Sequence, residues 1–101
     1  MIFMVTQWIP YNKTDEWLNI FKEVQGKLPA FIKKWQIFAI VDEDRGIKGY
    51  NLIMTEKGSV DEAMLEISKL IAPFWKIEGW AMKIEPLFAI KDALKVIGKS
   101  L

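Results

Sequence analysis

Polar side chains interrupt strand-like segments of this chain that are otherwise apolar. Gln7, Gln36 and Asn51 are amides in such segments, and Lys83 places an ammonium group in another. A buried amide or ammonium group needs hydrogen-bond partners, because leaving it unpaired costs about 1–3 kcal/mol. Amides can bind and orient a small molecule, and a lysine that loses its hydration can act as a general base. The alternative is that these residues face water on an edge strand.

Large aromatic residues accompany these polar positions. Trp8, Trp35, Tyr50 and Trp80 lie on or beside predicted strands. A pocket lined by aromatic side chains with a few polar groups is typical of a small-molecule site. The alternative is that these side chains fill the core and a subunit interface, where an indole N–H finds a partner. Hydrophobic spacing alone does not separate the two. With the four polar residues, they make eight candidate ligand-binding residues.

Several kinds of chemistry are excluded by composition. The chain contains neither Cys nor His, which removes thiolate nucleophiles, disulfides and the commonest metal ligand. Asp42, Glu43 and Asp44 form an acidic run, but they lack the pattern of a calcium loop and are typical of a solvated hairpin turn. We therefore predict no metal site and no cofactor.

Charge and hydropathy limit the partners. The net charge is +1, and the lysine stripe Lys91, Lys95 and Lys99 is typical of a solvated helix face, so we predict no nucleic-acid partner. No apolar run approaches the roughly 18 residues of a membrane span, and the N-terminus lacks the pattern of a signal peptide. The expected location is the cytoplasm.

Hydrophobic periodicity predicts four strands. The first covers Met1–Ile9, and the last follows the alternation from Trp80 to Ile84 and is expected to stop at Pro86. Between them, the segments Trp35–Val41 and Tyr50–Glu56 flank a charged, glycine-containing loop and predict a hairpin.

Three helices are predicted around these strands. Thr14 is expected to cap the first, which ends near Gly26. Ser59 and Glu62 form a capping box for the second, whose apolar stripe is the most regular in the chain. The third covers about residues 87–99.

The order of these elements predicts an α+β fold in a single domain of residues 1–101. It is strand–helix–strand–strand–helix–strand with an extra C-terminal helix, the βαββαβ pattern of a ferredoxin-like fold. Such a fold has a four-stranded antiparallel sheet with two helices on one face. Because the strands are apolar on both faces, the other face needs a cover, either the terminal helix or the sheet of a second subunit.

A resemblance to a known family rests on short segments: the opening Met1–Thr6, the start of strand two at Lys34–Gln36, the hairpin from Arg45–Gly46 to Gly49–Tyr50, and the closing Glu85–Pro86. They resemble a family of small proteins of the dimeric α/β-barrel superfamily, the domain-of-unknown-function group 3303. Many of its members carry His where this chain has Gln36. The resemblance implies a homodimer whose two sheets pair into a barrel.

The resemblance also indicates classes of function. The superfamily includes cofactor-independent monooxygenases, haem-dependent enzymes, isomerases and ligand-sensing modules. We expect a small cytoplasmic protein that forms a sheet-to-sheet homodimer and binds an apolar or aromatic small molecule. A cofactor-independent monooxygenase-like enzyme, in which the deprotonated substrate itself supplies the electron, is one alternative. A ligand-sensing module is another, and the sequence leaves open whether the protein is an enzyme.

Overall fold

Strands and helices follow one another in the predicted order. The computed structural model describes residues 1–101. Its strands are β1 (Ile2–Ile9), β2 (Ile32–Asp42), β3 (Gly46–Thr55) and β4 (Ala81–Leu87). Its α-helices are α1 (Thr14–Gln25), α2 (Val60–Ile71) and α3 (Ile90–Val96), and short 3-10 turns span Tyr11–Lys13 and Ala72–Lys76. None of these helices has the length and apolar character needed to cross a membrane.

The four strands form one open sheet in the order β2-β3-β1-β4, with every neighbouring pair antiparallel. Strands β1 and β2 are therefore parallel to each other with β3 between them, and β3 and β4 are parallel with β1 between them. Helix α1 connects the first of these pairs and α2 connects the second. The prediction of an α+β fold with a four-stranded antiparallel sheet is confirmed.

The core lies between the helices and one face of the sheet, the helix side. Phe3 pairs with Ile53 across β1 and β3, and both side chains are fully buried there. Ile67 of α2 is fully buried against them in the same cluster. Because side chains alternate along a strand, this pairing places every other residue of each strand on the helix side.

The opposite face of the sheet has no cover within the chain. We call it the open face; its large apolar members include Met4, Trp8, Phe38, Ile40, Tyr50 and Leu52. Phe38 and Ile40 are 57% and 58% exposed. Helix α3 does not cover it, since Ile90 and Val96 are themselves exposed. The second layer that the apolar strands predict is therefore absent from a single chain.

Of the two predicted N-caps, the one at Ser59 is confirmed in part and the one at Thr14 was wrong. The Ser59 hydroxyl oxygen accepts a hydrogen bond from the Glu62 backbone N–H at 3.4 Å, but the Ser59 backbone N–H donates no hydrogen bond to the Glu62 carboxylate. Thr14 does not cap α1. It is the first helical residue, and its hydroxyl donates to the Tyr11 carbonyl because a 3-10 turn leads directly into the helix.

Strand ends differ most from the prediction where Gly and Pro lie. Strand β3 begins at Gly46 instead of about Tyr50, because Gly46 has a φ of 99° that lets the hairpin turn immediately. A Cβ at Gly46 would collide with the Ile9 carbonyl. Pro86 does not stop β4: it pairs opposite Phe3, and an edge strand tolerates the missing N–H.

Two further boundaries shift. Strand β2 begins at Ile32 instead of the predicted Trp35, with an irregularity between Ile32 and Lys34. Helix α3 is shorter than the predicted 87–99, because Leu87 still pairs with Ile2 in β4 and Gly98 leaves the helix with a φ of 70°.

Candidate functional site

The two faces of the sheet divide the eight predicted site residues into two groups. Gln7, Trp35 and Asn51 lie on the helix side, where Trp80 joins them from the residue before β4. Trp8, Gln36, Tyr50 and Lys83 lie on the open face. Each group shares one face of the sheet, and the sheet itself separates the two groups. Gln36 and Asn51, the two amides of the β2–β3 hairpin, are therefore not parts of one site.

Gln7 is the centre of the helix-side group. Its Oε1 accepts hydrogen bonds from two indoles, Trp17 Nε1 and Trp80 Nε1, each at 3.0 Å. An indole N–H can only donate, so the amide oxygen must be the atom that faces both tryptophans. This fixes the orientation of the amide.

The nitrogen of the same amide has no partner. Gln7 is 6% exposed, and its Nε2 donates no hydrogen bond to the protein. Every fully enclosed side-chain nitrogen or oxygen in the chain has a partner, so Nε2 keeps some access. A Cβ built on Gly49 would lie 3.3 Å from Nε2, which places this nitrogen on the side of Gly49. The free donor therefore points toward β3 and β2.

A cavity of about 290 Å³ lies on that side, between α1 and the sheet. We call it the α1 cavity. Nine residues line it, six of them hydrophobic, and Gln7 and Gly49 are both among the nine. The apolar part of the wall comes from β1, α1, β2 and β3, through Ile9, Trp17, Leu18, Ile37, Ala39 and Ile47. Leu18 and Ile37 are about 40% exposed, so they form an apolar rim.

Stacked aromatic rings hold the two indoles in place. Trp17 stacks on Phe21 with centroids 4.9 Å apart, and Phe74 lies 5.8 Å from Trp17 and 5.8 Å from Trp80. Phe74 is buried and belongs to the core cluster. The partners of Gln7 Oε1 are thus positioned by packing, and the amide is preorganised.

Trp17 belongs to this group through its hydrogen bond to Gln7, although the sequence did not single it out. It lies on the apolar stripe of α1, where it counted as an ordinary core residue. The signal that could have identified it is chemical: a partly buried indole needs an acceptor, and few buried side chains in this sequence offer one.

Asn51 has a different environment from Gln7, although it is also buried. Its Oδ1 accepts from Trp35 Nε1 at 2.9 Å, and its Nδ2 donates to the Val5 carbonyl at 3.2 Å. Both ends of the amide are engaged by protein. Asn51 therefore joins β3 to β1 and β2, and its role is structural.

A second, smaller space of about 170 Å³ follows the α1 cavity along β2. It lies near the C-terminal end of α1 and shares Ile37 with the larger cavity, and Trp35 and Leu28 also line it. Both spaces exist because the helices leave the helix side of β2 partly uncovered.

On the open face, cations lie over aromatic rings. The Arg45 guanidinium is 4.3 Å from the Trp8 ring centroid, and the Lys48 ammonium is 5.5 Å from Trp8 and 5.1 Å from Tyr50. Such contacts contribute about 0.5–1 kcal/mol at exposed sites. Lys83 pairs with Glu85 at 3.4 Å and its side chain is 57% exposed. Within one chain Lys83 stays hydrated, so it lacks the desolvation that a lysine base requires.

Asp42, the first residue of the acidic run, stabilises the turn of the β2–β3 hairpin. Asp42 Oδ1 accepts from the backbone N–H groups of Asp44 and Arg45, at 3.0 and 3.2 Å. This is the way that Asp commonly stabilises a turn. No group of three or more acidic side chains is arranged so that it could hold a metal ion.

Comparison of the chain with protein-family models, with curated proteins and with solved structures gave no match.

Proposed function

We propose that this chain is a small cytoplasmic protein that binds an apolar or aromatic small molecule in the α1 cavity and forms a homodimer through the open face of its sheet. One observation carries the ligand proposal. This cavity, about 290 Å³ between α1 and the sheet, is lined by six hydrophobic side chains and has an exposed apolar rim at Leu18 and Ile37. A concave, mostly apolar space of this kind is typical of a small-molecule site.

The volume of the cavity supports a ligand with two rings. An apolar cavity of about 150 Å³ engineered into another protein binds benzene. The α1 cavity, at about 290 Å³, is roughly twice as large. Its exposed rim at Leu18 and Ile37 gives such a molecule a way in.

The chemistry of the wall favours binding over acid–base catalysis. The residues that line the α1 cavity are apolar except for Gln7, Thr14 and Gly49, and none of them titrates near neutral pH. Proton abstraction requires a positioned base within hydrogen-bond reach of the substrate. A ligand-binding role therefore ranks above the monooxygenase-like alternative.

Filling the cavity tests this proposal. Ala39 lines the α1 cavity from β2 and is exposed, so Ala39→Phe adds a ring to the cavity without disturbing the core. We expect naphthalene, followed by quenching of tryptophan fluorescence, to bind the wild type and to bind Ala39→Phe at least about tenfold more weakly, since the ring occupies its place.

Ala89→Phe is the matched control, because Ala89 is exposed between β4 and α3 and lines neither the α1 cavity nor the smaller space along β2. It should bind naphthalene as the wild type does. Absence of binding by the wild type, or equal weakening in both variants, would contradict a site in the α1 cavity.

The strand order supports the second part of the proposal, the homodimer. Two strand–helix–strand units that interleave in the sheet order β2-β3-β1-β4 agree with a ferredoxin-like assignment. In the proposed dimer, the open faces of two such sheets pack against each other as an α/β barrel. A second copy is the occupant that fits best, because it offers an equally flat apolar face and a two-fold interface pairs a surface with itself.

The area of the open face is in the range expected of a functional apolar surface such as a subunit interface. Four strands spaced about 4.8 Å apart, with about eight residues of 3.3 Å each, cover roughly 500 Å² in projection. The largest apolar patch of an ordinary monomer is about 300–600 Å² and is often functional. The exposed Phe38 and Ile40 lie on this face.

A further inference from the structure

Strand β2 is an edge of the sheet and leaves large apolar side chains exposed on both of its sides. Phe38 and Ile40 lie on the open face and are 57% and 58% exposed. Val41 lies on the helix side and is 68% exposed. Packing of two open faces covers Phe38 and Ile40 but not Val41, which needs a neighbour beside β2, at the edge of the sheet itself.

The two edge strands differ in their protection against pairing with another chain. Natural edge strands carry charges, proline or bulges that prevent such pairing. Strand β4 has Lys83, Glu85 and Pro86. Strand β2 has no charged residue and no proline from Trp35 to Val41, and its one irregularity lies near its start. The outward backbone N–H and C=O groups along this segment are therefore open to an added strand.

The sequence of β2 matches a second copy of itself that runs antiparallel. Lys34 and Asp42 lie at equal distances along the chain from Phe38, and all three lie on the open face. A pairing centred on Phe38 therefore places Lys34 directly opposite the partner's Asp42, once at each end of the paired segment. Lys34 has no carboxylate partner within its own chain. Opposite charges placed in this way stabilise an antiparallel pair of strands.

The same register covers the exposed apolar side chains. Phe38 lies opposite its own copy, and Val41 lies opposite the partner's Trp35 on the helix side. Aromatic–aromatic, aromatic–β-branched and opposite-charge pairs all stabilise neighbouring strands. This register supplies one of each kind, so the pairing accounts for the exposure on both sides of β2.

We infer that the homodimer is joined by antiparallel pairing of the β2 edges of two copies, about a two-fold axis at Phe38. This inference rests on the proposed homodimer and specifies where the two copies join. The two sheets become one continuous sheet with both open faces on the same side, and the curvature of such a sheet encloses them in a common interior. A second copy is the occupant that fits best, because its basic start and acidic end match the acidic end and basic start of β2.

Cysteine cross-linking tests this register, because the chain contains no cysteine of its own. Phe38→Cys places two thiols opposite each other with Cα atoms about 4.5–5.5 Å apart, within the range of a disulfide. We expect most of this variant to form a covalent dimer on mild oxidation at micromolar concentration, seen by non-reducing electrophoresis. Ile40→Cys is the matched control. Residue 40 is equally exposed on the same face, but its two copies lie about 13 Å apart along the strands and should not cross-link.

A mixture of the Gln36→Cys and Ile40→Cys proteins keeps Phe38 and gives a second test. In the inferred register residue 36 lies opposite residue 40 of the other copy, so the mixture should cross-link although neither protein does so alone. Equal cross-linking of Ile40→Cys and Phe38→Cys would overturn the inference. So would the absence of cross-links in Phe38→Cys and in the mixture while the wild type is a dimer by light scattering, and the proposed homodimer would then stand. A monomeric wild type would overturn both.

Charge reversal tests the pairing of Lys34 with the partner's Asp42. Lys34→Glu replaces two attractive pairs in each dimer by two repulsive ones, so we expect the dissociation constant of the dimer to rise about two- to thirtyfold in analytical ultracentrifugation. Lys57→Glu is the control, because Lys57 is exposed in the turn after β3 and the substitution changes the net charge equally. It should leave the dissociation constant unchanged. Equal weakening by both substitutions would overturn the register.

Discussion

At the scale of single residues, the two buried amides make different hydrogen bonds. Asn51 is bonded at both ends, to the Trp35 indole and to the Val5 carbonyl. Gln7 is bonded only at its oxygen, where two indoles converge. The three tryptophan N–H groups of the helix side are thus all satisfied by amide oxygens. The two amides differ in their NH2 groups. That of Asn51 donates to the Val5 carbonyl, whereas that of Gln7 donates no hydrogen bond to the protein.

Asn51→Leu tests the structural role of Asn51. The change leaves the Trp35 N–H without its acceptor in a partly buried place, so we expect the free energy of unfolding to fall by about 1–3 kcal/mol in urea denaturation. Gln36→Leu is the matched control, because Gln36 lies on the opposite face of β2, across from Leu52. It should change the free energy of unfolding by less than about 0.5 kcal/mol. Equal losses would contradict the placement of the two amides on opposite faces.

At the scale of elements, the helices differ in how much they contribute to the core. Helix α2 buries Ala63, Ile67 and Ile71, and α1 covers β1 and β3 while leaving part of β2 open. Helix α3 buries no residue. Ile90 and Val96 of this helix are exposed, and so are Ile97 and Leu101, which follow it. The segment after β4 therefore has an amphipathic helix pattern but no packing partner within the chain.

Truncation after Leu87 tests this independence of α3. We expect the free energy of unfolding of the shortened chain, measured in urea at low protein concentration, to stay within about 0.5 kcal/mol of that of the full chain. Ile67→Ala in the full chain is the reference for a packed helix and should cost about 2–5 kcal/mol. A loss above about 2 kcal/mol on truncation would show that α3 packs on its own domain. A loss that appears only as the concentration rises would show that the segment contributes to a dimer.

At the scale of the whole molecule, the shape is that of two layers and not three. The shortest extent is 18 Å, enough for one sheet and one layer of helices, against a longest extent of 47 Å. The radius of gyration is 15.1 Å, whereas a compact domain of this length has about 13 Å. A chain that is 51% hydrophobic therefore leaves a whole sheet face and a terminal helix without cover. This is the property that the proposed dimer explains.

Charges placed on the two sides of one strand test the dimer. Ile40 lies on the open face of β2, and its neighbour Val41 lies on the other side; both are exposed, at 58% and 68%. We expect the wild type and Val41→Asp to be dimers in size-exclusion chromatography with light scattering at micromolar concentration. Ile40→Asp should be a monomer, because two buried carboxylates would meet near the interface. A monomeric wild type, or dissociation by both substitutions, would contradict an interface on the open face.

Much of the fold could be predicted because local patterns determine it. Periodicity identified four strands and three helices in the observed order, and the Ser59 cap was found from four consecutive residues. The errors lie where tertiary context overrides local preference. Pro86 continues a strand because β4 is an edge, and Gly46 starts one because its backbone conformation suits a tight turn.

The residue types available follow from the amino-acid sequence alone: no Cys and no His, a few amides within apolar strands, and enough aromatic side chains for a pocket or an interface. The sequence did not determine which face each residue occupies. The two-residue periodicity of a strand shows only that alternate residues share a face. Where a strand is apolar on both faces, the sequence does not show which face packs against the helices. The packing of the helices against one face of the sheet determines it. The tertiary structure pairs Gln7 with Gly49, brings Trp17 and Trp80 to one amide oxygen, and leaves an apolar cavity beside them.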